Sequence, residues 1–118
     1  MANLDDLYKK GFGQFGSVFV DADGAVTPPS NKVFIAITFL GDTTFDSSGG
    51  LVSDTNNDAV EFPSTQAAAH DAATATNISG TGGDQIDVNN EFPAGATIFG
   101  RWNSINVGSG MLIAYIGD

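Results

Sequence analysis

The one pair suited to general-base chemistry is His70 with Asp71, and His70 is the only histidine in the chain. Base catalysis needs such a pair held in an ordered pocket beside a nucleophile. His70 sits instead in an alanine-rich stretch, residues 66–75, and no serine stands in a nucleophile-elbow setting. A single histidine also cannot build a multi-histidine metal site. The carboxylate pairs Asp5/Asp6, Asp54/Asp58 and Asp84/Asp87 have the residue types of glycoside hydrolysis, which needs two acids facing a sugar cleft at fixed separation. Cleft-lining aromatics are scarce: one Trp and two Tyr stand against nine Phe. These acids read as solvated loop charges, and no enzymatic activity is expected.

Three further motifs are weaker than they look. Gly11-Phe12-Gly13-Gln14-Phe15-Gly16 matches G-x-G-x-x-G, but a dinucleotide fingerprint follows a strand and opens a helix. Here the motif precedes a strand, so it reads as a flexible joint. Asp21-Ala22-Asp23-Gly24 resembles part of a calcium loop. Placing Gly24 at the loop glycine puts Phe19 and Ser30 where the first and twelfth ligands should be carboxylates, which excludes an EF-hand. A hairpin turn is the default there, with a weak cation site as the alternative. Asn77-Ile78-Ser79 fits a glycosylation sequon but carries no weight without a secretion route.

The totals narrow the choice of function. The chain has 118 residues, one domain's worth, and a domain of this size buries roughly 65% of its unfolded surface. It has no cysteine, which removes disulfides, thiol nucleophiles and cysteine-based metal sites. The formal net charge is −10. Such a surface repels nucleic-acid phosphates and anionic membranes, so neither is an expected partner, and no cofactor is expected. The opening Met1-Ala2-Asn3-Leu4-Asp5-Asp6 is polar and acidic, with no apolar core of an export signal, so synthesis in a cytosol is expected.

The elements that would position any site read as β. Residues 14–20, 32–40, 59–62, 85–88, 96–105 and 111–116 have strand character and belong to about seven short strands. Residues 32–40 form the strongest central strand, and their continuous apolar character predicts cover on both faces. With fifteen glycines, this spacing predicts an all-β fold: an antiparallel β-sandwich or barrel, jelly-roll-like, over residues 14–118. Residues 1–13 differ. Leu4, Leu7, Tyr8 and Phe12 fall at helical spacing, and Asp5 and Asp6 suit a helix start. That stretch is too short to stand alone in water, so it reads as an N-terminal arm needing a surface, either its own sheet or a partner.

The runs 96–105 and 111–116, joined by residues 106–110, read as a hairpin with a longer loop. A Pro93-Ala94-Gly95 turn leads into them. The only Arg and the only Trp lie side by side there, at 101 and 102. One reading puts Trp102 in the core and pairs Arg101 with a carboxylate on the opposite face. The other makes Arg101 and Trp102 anchors of a subunit interface, where both types are enriched.

The segment Phe92-Pro93-Ala94-Gly95-Ala96-Thr97-Ile98-Phe99-Gly100-Arg101-Trp102-Asn103-Ser104, closing with Ile113-Ala114-Tyr115-Ile116-Gly117, resembles the C-terminal signature of small virion structural proteins of marine tailed phages. The start, Leu7-Tyr8-Lys9-Lys10-Gly11-Phe12, is similar more loosely. The resemblance implies a virion location, repeated copies and symmetric assembly as a homotrimer. Its first implication is a capsid decoration (cement) protein on the outer shell, with the major capsid protein as partner. Leu4, Leu7, Tyr8, Lys9, Lys10 and Phe12 would then form the capsid-binding arm. Fibre or tail adhesin subunits belong to the same broad class. A non-viral carbohydrate- or ion-binding module is the third alternative.

Overall fold

Every carboxylate of the described chain lies outside its seven strands, and the strands carry most of its buried apolar residues. In the computed structural model the residues described are 15–54, 62–65 and 82–118. The expected arm, the stretch with His70 and the sequon lie outside them.

The strands are β1 (Ser17–Val20), β2 (Val33–Phe39), β3 (Thr44–Phe45), β4 (Leu51–Ser53), β5 (Thr97–Ile105), β6 (Val107–Ser109) and β7 (Leu112–Gly117). Five form one antiparallel sheet in the order β1-β7-β2-β5-β4, and β3 pairs with β6 in a separate ribbon. The expected all-β, antiparallel sandwich is therefore what the chain forms. The first and last strands are neighbours, and the chain crosses to the ribbon after β2 and again after β5. That is jelly-roll-like interleaving.

Register explains which residues are buried. Val18, Ala114, Ile37 and Ile98 make one row across four strands, and Val20, Leu112 and Phe39 make another. Both rows belong to the core or pack against it. Strand period 2 sends the intervening residues to the opposite face. A bulge at Ile35 lets both Phe34 and Ile37 point inward, three residues apart, and Phe34 aligns with Ile116 and Trp102.

The two layers meet through aromatic rings. Phe39 of β2 stacks on Phe92 at 4.9 Å between centroids, and Phe45 of β3 meets both edge-on, at 6.1 and 5.6 Å. Such pairs contribute about 0.5–1.5 kcal/mol each beyond the area they bury. Phe92 is held there by a reciprocal backbone pair with Thr43, at 2.8 and 2.9 Å. Pro93 then ends the pairing, and the Ala96 amide closes a turn on the Pro93 carbonyl. Gly95 supplies the positive φ of 91° that this turn requires.

Two sequence expectations need correction. The two C-terminal runs do not form a hairpin: β5 and β7 each pair with β2, which lies between them. The segment expected as their loop is itself a strand. Val107 is buried in the core, so the chain crosses to the second layer and pairs there with β3. Asn106 makes that corner. Its Oδ1 accepts from the Gly24 amide, its Nδ2 donates to the Ser48 carbonyl, its amide donates to Gly50, and its carbonyl accepts from Asp46.

Second, residues 85–88 are irregular. Asp87 accepts from the Asn89 amide and Asn90 Oδ1 accepts from the Asp87 amide, both at 2.8 Å, so local side chains take the backbone groups a ladder would use. Only Ile86 there is buried. β2 is the most buried strand, as its continuous apolar character predicts: Val33, Phe34, Ala36, Ile37 and Phe39 are buried, and Ile35 and Thr38 are half-buried. Phe34, Ile37 and Phe39, on the inner face, are fully buried. Of the expected strand 59–62, Phe62 alone is described, and it belongs to no strand.

Candidate functional site

Two rows of side chains cross the outer face of the large sheet. The first is Phe19, Ile113, Thr38 and Thr97; the second is Ser17, Tyr115, Ala36 and Phe99, each in strand order β1, β7, β2, β5. Phe99 is 67% exposed and Phe19 is 54% exposed. Both are large apolar side chains left in water by the strands that hold them. Phe19 lies on the edge strand β1, paired with β7, and Phe99 on β5, between β2 and β4.

Ala36 is the small residue in its row. Between the larger Tyr115 and Phe99 it leaves a trough of about 280 Å³, completed by Thr38 and Thr97. The two threonine hydroxyls are hydrogen-bonded to each other at 3.0 Å. The trough therefore presents an alanine floor, two aromatic walls and a self-satisfied hydroxyl pair. It offers little to a charged ligand and much to an apolar side chain. An apolar cavity of roughly 150 Å³ already accepts a benzene ring.

The two basic side chains of the described residues gather at one end of the sheet. The Arg101 Nε donates to Asp54 Oδ2 at 3.3 Å, and its Nη1 donates to the Asp118 backbone oxygen at 2.6 Å. Lys32 pairs with the Asp118 carboxylate, and its ammonium lies 4.4 Å from the centre of the Phe15 ring. Asp54 is buried, and its amide donates to the Arg101 carbonyl at 2.8 Å. Side chain and backbone together lock the end of β4 against β5.

Of the two sequence-derived interface candidates, only Arg101 has surface. Trp102 is 0% exposed, and its indole N–H donates to the Pro63 carbonyl at 2.7 Å. Gly100 makes room for it: a Cβ there would come within 2.7 Å of the indole ring. The arm residues Leu4, Leu7, Tyr8, Lys9, Lys10 and Phe12 lie outside the described residues. Asp84 and Asp87 each accept a local backbone amide, so they stabilise their own loop. Among the described residues no group of three or more His, Asp or Glu is placed to hold a metal ion.

Sequence reasoning missed Phe19, Phe99, Tyr115 and Ala36 as a surface. No local pattern marks them: only register across β7 and β2 brings them onto one face. Comparison with protein-family models, with curated proteins and with solved structures finds no match to this chain.

Proposed function

We propose that this chain is a virion structural protein, a capsid decoration (cement) protein that works by protein–protein contact on the outer shell. The observation that carries this reading is the outer sheet face, where Phe19 and Phe99 stand exposed among residues that include no carboxylate, on a chain with net charge −10. Exposed apolar patches on a folded surface mark contact sites for other macromolecules. The resemblance over residues 92–117 supplies the virion setting, and this segment includes β5 and β7, which build much of that face. The acidic loops keep copies apart until a specific surface engages them.

In this reading the arm residues Leu4, Leu7, Tyr8, Lys9, Lys10 and Phe12 grip the major capsid protein, and the sandwich body stands on the shell. The test is immunogold labelling of virions whose genome encodes this chain. Label spread over the whole head is expected. Label confined to tail or fibres would replace the decoration role by an adhesin role, and particles lacking the chain would end the virion reading.

A further inference from the structure

We propose that the outer face of the five-stranded sheet is where two copies of this chain meet, with Phe99 of one copy seated in the Ala36 trough of the other. This deepens the proposed function by naming the partner of that face, and it rests on the reading that the face is a protein contact.

Charge selects the occupant. The eight residues of the two outer rows include no Asp, Glu, Lys or Arg. All carboxylates of the described residues lie in loops or at residue 118. Bringing two copies together through their loops would therefore oppose like charges, while this face brings two neutral surfaces together. Shape agrees: the knob, Phe99, and the hole, the trough over Ala36, are neighbours in one row. A two-fold axis between them seats both knobs at once, the self-complementary pattern of an isologous contact.

Size sets the strength. Four strands about 4.8 Å apart, over roughly six residues of about 3.3 Å, give a footprint of about 400 Å². A standard interface buries about 800 Å² per partner, so this contact is a weak one. Copies held side by side on a shell meet at a far higher effective concentration, where such a contact suffices.

The experiment is light scattering and sedimentation of the full chain from about 10 μM to 1 mM, alongside Phe99→Asp and the milder Phe99→Ser. Circular dichroism melts confirm that each variant folds. The expected result is a mass rising with concentration above that of a single chain, with association weakened at least tenfold in both variants. A wild-type chain that stays monomeric throughout overturns the proposal, as does an oligomer that both variants leave intact. Particle occupancy, measured separately, distinguishes the two claims. Occupied particles with a monomeric chain would remove this contact and leave the virion reading standing. A self-associating chain missing from particles would do the reverse.

Discussion

Asn106 and Ser48 are joined across the corner of the sandwich: the Asn106 side-chain amide donates to the Ser48 carbonyl at 2.9 Å. The same side chain accepts from Gly24 at 2.9 Å, so one residue ties three segments at the point where β5 leaves the sheet and β6 begins. Asn106→Ala removes both bonds and is expected to destabilise by about 1–2 kcal/mol. Asn106→Asp keeps the acceptor, loses the donor and should fall between. Urea midpoints of the three proteins check the order.

The contact between Trp102 and Pro63 predicts a core defect. Trp102→Phe leaves the Pro63 carbonyl without its indole donor and a gap beside Gly100, at a cost of about 2–4 kcal/mol. Calorimetric melting should show the loss. Because Trp102 is the only Trp, the wild-type emission should be blue-shifted when folded and shift red in one step on unfolding.

Arg101 should behave as a structural cation. Arg101→Met removes the guanidinium from buried Asp54 and should destabilise by about 1–3 kcal/mol, a range lowered because Arg101 keeps an exposed side. The double variant with Asp54→Asn should lose less than the sum of the two single variants, and a double-mutant cycle measures that coupling.

Two glycines with positive φ separate conformational strain from collision. Gly95, with φ of 91°, has open space where a Cβ would go, so Gly95→Ala should cost about 1–2 kcal/mol. Gly110, with φ of 99°, faces the Asp42 carbonyl and the Thr43 backbone at clashing range. Gly110→Ala should therefore cost at least about twice as much as Gly95→Ala. Paired thermal melts decide it.

Much of the fold is legible in the sequence because local patterns set it. The apolar runs that become β1, β2, β5 and β7 are visible from composition and spacing, as is the Pro93-Ala94-Gly95 turn. Strand pairing is less legible, because it depends on where the chain crosses between layers. Residues 106–110 have turn chemistry, yet Val107 has a core position to fill and draws its segment into a strand. Thr44–Phe45 and Leu51–Ser53 are too short to show a period, so burial of Phe45 and Leu51 against the opposite layer defines them. The candidate face was hidden for a related reason. Phe19 and Phe99 are eighty residues apart in the chain, and only register across β7 and β2 puts them on one surface.

That surface can be probed at a single atom, since the chain has no cysteine of its own. Thr97→Cys places a thiol beside the trough, and Asp23→Cys places one in an exposed loop away from it. The measurement is the rate of maleimide labelling at each thiol as protein concentration rises from micromolar to millimolar. Burial of the face between copies predicts a falling rate at position 97 and a constant rate at position 23. An unchanged rate at position 97 across that range would contradict it.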